Sequence, residues 1–219
     1  MRCRLKEVGF RSMALGAVLL AGLLGSMATS VQAATVVWQL RVKDGEGRPL
    51  ADTVVELSQP GAAAGTPRET SVVQRNKTFV PYVTVVPTGS TVVFPNEDSV
   101  RHHVYSFSPS KTFEIPLYHG DSVPVVFDKQ GVVVLGCNIH DSMLAYIVVS
   151  DAPWQAVSDA SGVVKFDLPP GTYQLKLWHP RQQQPLPEQT IDVGSGAAVQ
   201  TISLPVSEPK PVTTMDYSY

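Results

Sequence analysis

From residue 35 onward, apolar and polar positions alternate in short runs, and no stretch holds a 3.6-residue apolar period for several turns. TVVWQLRVKD (35–44) and TVVELS (53–58) come first, then a small-residue linker, QPGAAAGTPRE (59–69). Next are FVPYVTVV, STVVFPN, HHVYSF, TFEIPL, VPVVF, GVVVLG and LAYIVVS, spread over residues 79–150. GVVKFDL, TYQLKLW, QTIDVG and VQTISL close the series between residues 162 and 204. Val, Ile, Thr and aromatic residues dominate these runs, and Gly, Pro, Asp and Asn bound them, so the pattern predicts an all-β chain.

Residues 70–151 supply about seven of these strands, enough for a small β-sandwich. Residues 152–205 supply only about four, too few to bury a core alone. The leading strands, within 34–60, are therefore needed elsewhere. Either they complete a second sandwich with 152–205, with 70–151 inserted between, or they form edge strands of the first. The tail, residues 206–219 (VSEPKPVTTMDYSY), is polar and Pro-containing, and is expected to be loose.

The first 33 residues follow a different pattern. Arg2, Arg4, Lys6 and Arg11 precede an uncharged run over residues 13–28, and SVQA then offers Val31 and Ala33 as small cleavage-site residues. That order is the pattern of a secretory signal peptide. The alternative, a membrane anchor, needs about 20 apolar residues, more than this run holds. Without residues 1–33 the chain carries 13 basic and 18 acidic side chains, a net of −5. A basic nucleic-acid surface is excluded by that balance, and nothing draws the chain to anionic lipid. Cys3 lies in the leader, so Cys137 is the single cysteine of the exported part and has no internal disulfide partner. In an oxidising compartment such a thiol needs burial or a metal.

Chemistry concentrates in GCNIHDSM, residues 136–143, between two apolar runs. Cys137, His140 and Met143 stand three apart in one short loop. A thiolate, two imidazoles and a weak thioether make a type-1 copper site, so a second histidine must come from elsewhere in the chain. The stretch VVFPNEDSVRHHVYSF offers His102 and His103. Adjacent residues on a strand face opposite ways, so only one of the two can share the ion.

These residues resemble the plastocyanin, amicyanin and pseudoazurin group of cupredoxins. The upstream pattern N-x(5)-H-x-V matches Asn96, His102 and Val104, and C-x-x-H-x-x-M is the short, amicyanin-like loop. The matching region runs over residues 78–149. The resemblance implies a Greek-key sandwich holding one type-1 copper through His102, Cys137, His140 and Met143. His103 stands where the family usually has Asn, and so is an alternative ligand or an outer-sphere partner. Asn96 and Asp141 are further candidates for contacts around the ligands. The RHHVYSFS and GCNIHD runs are similar to those of exported plastocyanin-like proteins labelled for methylamine utilisation. A second resemblance lies outside this region. RVKDGEGRPLADTVVEL (41–57) and VSDASGVVKFDLPPGTYQLKLWHP (157–180) look like transthyretin-type, carboxypeptidase-regulatory-like sandwiches, which favours the inserted arrangement.

The resemblance implies a periplasmic electron carrier exchanging electrons with redox partner proteins, with the imidazole of His140 as the exit. Four protein donors leave no open position for substrate, unlike a catalytic metal site. His119 and His179 stand alone in sequence, the histidine-rich sites of multicopper enzymes are missing, and no G-x-S-x-G elbow occurs. An enzyme is therefore not expected. The alternative reading is a copper-delivery or partner-binding envelope protein without an electron-transfer role.

Overall fold

The computed structural model describes residues 34–208. The expected signal peptide (1–33) and the end of the tail (209–219) lie outside the described residues. The described chain is all-β, with seventeen strands and no helix. The first two are β1 (Val36–Lys43) and β2 (Val54–Ser58). Short strands follow: β3 (Glu69–Ser71), β4 (Val73–Arg75), β5 (Thr78–Val80), β6 (Val83–Pro87) and β7 (Ser90–Val93). Then come β8 (His102–Ser108), β9 (Lys111–Tyr118), β10 (Val125–Phe127), β11 (Gly131–Gly136) and β12 (Leu144–Ser150). The last are β13 (Trp154–Val157), β14 (Val163–Leu168), β15 (Gly171–Trp178), β16 (Gln189–Val193) and β17 (Ala198–Ser203).

Two sandwiches form. In the first, the five-stranded sheet β6-β12-β11-β8-β9 packs against the β10-β7-β3 sheet. Val86, Phe94, Val104, Phe127, Leu135 and Ile147 lie in the core between them. The inward positions of β11 and β12 follow strict alternation. Val133 and Leu135 point in, as do Ala145, Ile147 and Val149. In the second, β14-β1-β17 faces β13-β2-β15-β16 across Trp38, Leu40, Leu57, Phe166, Tyr173 and Leu175. Both leading strands pair here, β1 with β14 and β17, β2 with β13 and β15. A third, small cluster joins the two. Val83, Val85 and Val148 of the first sandwich meet Val54 of the second, flanked by Tyr146 and Trp178.

Three differences from the sequence expectation have local causes. FVPYVTVV is two strands, β5 and β6, because Pro81 brings no N–H to a ladder and its ring fixes φ. Residues 154–157 add a strand, β13, that pairs with β2. The tail is not loose from its start. Val206 bridges Gln182, the Ser207 N–H donates to the Arg181 carbonyl (2.9 Å), and the Arg181 guanidinium donates back to the Ser207 carbonyl (2.6 Å). That reciprocal pairing, with Arg48 3.2 Å from Glu208, holds residues 206–208 against the second sandwich.

Candidate metal centre

The site forms at one end of the five-stranded sheet. Cys137 continues the inward series of β11 and Met143 precedes that of β12, so both side chains enter the core, at 3% and 2% exposure. Between them the loop turns on a hydrogen bond from the Met143 N–H to the His140 carbonyl (3.0 Å). This leaves Asn138, Ile139, Asp141 and Ser142 outside and His140 partly buried. On β8, His102, Val104 and Ser106 are fully buried, while Phe107 on the other face is open. The ladder between β8 and β9 is irregular between His102 and Val104, where the register shifts by one residue.

His102, Cys137 and His140 converge. One donor atom from each lies within 4.8 Å of the other two. The Nδ1 of His102 is 3.9 Å from the Cys137 Sγ, and the rings of His102 and His140 are 5.0 Å apart at 63°. The Nδ1 of His140 is buried and meets no hydrogen-bond partner in the protein. Leaving such a nitrogen unpaired costs about 1–3 kcal/mol unless something takes its lone pair. Burial, then the nearby His102 and Lys77, push the pKa of His140 down, partly opposed by Asp98. A neutral imidazole is the form that binds a cation.

The other candidates take different places. His103 faces away from Cys137. Its Nε2 lies 2.8 Å from Glu114 and its ring 5.6 Å from that of Tyr105. Asn96 ties loops together: its Nδ2 donates to the carbonyls of Val100 and Tyr118 (2.9 Å each), and its backbone exchanges two hydrogen bonds with Gly120. Its Oδ1 accepts the Asp98 N–H at 3.0 Å. Asp141 is exposed. With Tyr105, Phe107 and Val134 it lines a surface cleft of about 520 Å³ backed by Cys137 and Met143. Asp98, passed over by the sequence reading, touches a candidate ligand directly, its Oδ2 lying 2.8 Å from the His102 Nε2. Burial alone would raise its pKa. Hydrogen bonds from Lys77, His102 and Asn76 outweigh that and lower it.

No protein-family model and no curated protein sequence matches the chain. Among solved structures, a Cu-containing nitrite reductase from Thermus scotoductus SA-01 is similar at 31% identity over 42% of this chain, with a TM-score of 0.36. The match spans 24% of that enzyme. A purple cupredoxin from Nitrosopumilus maritimus matches at 23% identity, covering 37% of this chain and 99% of its own (TM-score 0.34). A reduced amicyanin carrying a single tryptophan-to-tyrosine substitution matches at 16% identity, covering 43% and 99% (TM-score 0.36).

The residues present fit a thiophilic metal ion. One thiol and two imidazoles are soft and borderline donors, which suit copper or zinc and not magnesium or calcium. The unpartnered Nδ1 of His140 and the Nδ1 of His102 beside the thiol offer such an ion two ring nitrogens next to one sulfur.

Proposed function

We propose that this protein is an exported type-1 copper protein that carries single electrons between redox partner proteins in the periplasm. The observation that carries the reading is the convergence of His102, Cys137 and His140 within 4.8 Å, with the His140 Nδ1 buried and unpartnered. Met143, buried in the same core as Cys137, would supply the fourth, weak donor. Bound copper would supply reversible one-electron exchange, tuned by the thioether and the surroundings of the thiolate.

The chain's own residues would do the rest. Cys137 and Met143 belong to the buried apolar core of the first sandwich, which would keep water from the inner side of the site. Donors drawn from the start of β8 and from the one loop between β11 and β12 would already stand close together before any ion arrives, so little rearrangement would accompany a change of charge. His140 is the partly exposed donor, next to the exposed Ile139, and so is the route by which a partner would reach the centre. A small apolar contact there suits a brief encounter. With all four donors from protein, no position remains for a substrate, and this favours a carrier over an enzyme. Export is supported by the basic residues and apolar run of residues 1–33.

The test is a visible spectrum of the exported protein with copper(II), beside Cys137→Ser. The expected result is an intense thiolate-to-copper band that the mutant lacks, and retention of copper through repeated reduction and reoxidation with a chelator present. Weak colour that survives the mutation would overturn the site. Loss of the metal in one oxidation state would favour delivery of copper over electron transfer.

A further inference from the structure

Asp98 holds three hydrogen-bond donors at once. Its Oδ1 accepts the Asn76 N–H at 2.6 Å, and its Oδ2 accepts the Lys77 N–H at 2.8 Å and faces the His102 Nε2 at 2.8 Å. Asn76 and Lys77 form the two-residue turn between β4 and β5, both left-handed at φ 53° and 55°. Successive N–H groups in such a turn point to one side and make a small anion cradle. The Asp98 backbone is itself fixed, because its N–H donates to the Asn96 side chain.

A carboxylate only accepts. The proton between Asp98 and His102 therefore sits on the His102 Nε2, and in the neutral ring this leaves the lone pair on Nδ1. That nitrogen is the one 3.9 Å from the Cys137 Sγ. His102 is fully buried, so bulk solvent does not reach either nitrogen.

We infer that Asp98 is the positioning residue of the metal centre: it fixes the ring and tautomer of His102 and places a negative charge directly behind that ligand. This rests on the copper reading above. A carboxylate behind an imidazole makes it a better donor, and losing such a partner typically weakens metal binding 10–100-fold. The same charge favours the more positive oxidised ion, so it holds the reduction potential down. The β4–β5 hairpin acts as the clamp that keeps the carboxylate there.

The experiment has two arms. In the first, nitrogen-15 NMR of the metal-free, full-length protein reads which nitrogen of His102 is protonated. At a pH where the ring is neutral, a proton on Nε2 is expected, and a proton on Nδ1 overturns the inference. This arm needs no copper, so it stands or falls apart from the copper reading. In the second, Asp98→Asn is compared with wild type and with Glu97→Gln. Glu97 is a neighbouring carboxylate paired with Arg75 at the surface, 2.6 Å away, and controls for charge alone. Asn keeps an oxygen for one of the two hairpin N–H groups, and circular dichroism checks its fold. The expected result for Asp98→Asn is at least a tenfold weaker grip on copper(II) relative to copper(I). That ratio raises the potential by about 59 mV for a one-electron couple. Equal potentials in Asp98→Asn and Glu97→Gln would overturn it. If wild type binds no copper while His102 still carries its proton on Nε2, the copper reading fails and the positioning of His102 stands.

Discussion

The ring of Tyr105 lies over Gly136, the residue before Cys137, so closely that a Cβ at position 136 would sit 2.7 Å from the tyrosine Cζ. The missing side chain lets the ring lie against the strand in the wall of the surface cleft that Cys137 also lines. Tyr105 cannot swing aside freely, since the rings of His103 and Phe107 flank it at 5.6 and 5.2 Å. Gly136→Ala should displace the ring and lower stability by about 1 kcal/mol, at the low end for overpacking because only the far end of the ring must move. It should also speed labelling of Cys137 by a thiol reagent in the metal-free protein. Unchanged labelling would mean that Tyr105 is not the barrier.

Met143 separates packing from ligation. It is 2% exposed and belongs to the core of the first sandwich, so its volume matters there. Met143→Leu conserves that volume and should change urea stability by less than about 1.5 kcal/mol. Removing the thioether should nevertheless shift the absorption of the copper-loaded protein and raise its potential, because the axial donor tunes both. Identical spectra for the two proteins would show that Met143 serves only the core.

His179 gives the second sandwich its own pH dependence. It is 4% exposed at the end of β15, with its Nδ1 accepting the Arg181 N–H at 3.1 Å. Burial first, then the Arg181 charge, push its pKa down to about 4, partly opposed by a hydrogen bond with the Ala51 backbone. Below pH 6.5 the unfolded chain protonates this histidine while the folded chain does not, until about pH 4. Stability should therefore fall as pH drops from 6.5 to 4, by roughly 1–3 kcal/mol from this group, and level off below. Urea unfolding of His179→Gln against wild type across that range isolates the effect, because His140 contributes equally to both. Parallel curves would rule the assignment out.

Much of this architecture is legible in the sequence. Alternation of Val, Ile and Thr between turn residues reads directly as strands, and C-x-x-H-x-x-M places three donors in one loop before any fold is known. Alternation also says that His102 and His103 face opposite ways. Which one faces the core depends on how β8 registers against β9 and β11, a non-local fact. Asp98 was invisible for the same reason. In NEDSVRHH it looks like any acidic loop residue, and its partners Asn76 and Lys77 lie 22 and 21 positions upstream in a turn hidden inside polar sequence. The short strands β3, β4 and β13 have three or four residues each and too little pattern to detect. The joint between the sandwiches was equally hidden, because Val83, Val85 and Val148 read as ordinary strand residues on either face.

That joint should govern how the protein unfolds. Val54 of the second sandwich packs with Val83, Val85 and Val148 of the first, and the Trp178 ring covers them 5.4 Å from Tyr146. An apolar seam shared by two cores makes opening one expose surface on the other, so the full-length chain should unfold in a single calorimetric transition. A bound metal then raises the midpoint of the whole molecule, since ligand that binds only the native state stabilises everything coupled to it. Trp178→Ala should remove about 2 kcal/mol, below the range for fully buried tryptophans because this ring is only partly buried. It should also split the transition in two. In that variant copper should move only the transition of the sandwich that holds Cys137. One undivided transition in Trp178→Ala, shifted as a whole by the metal, would mean that the strands and the linker couple the sandwiches without this seam.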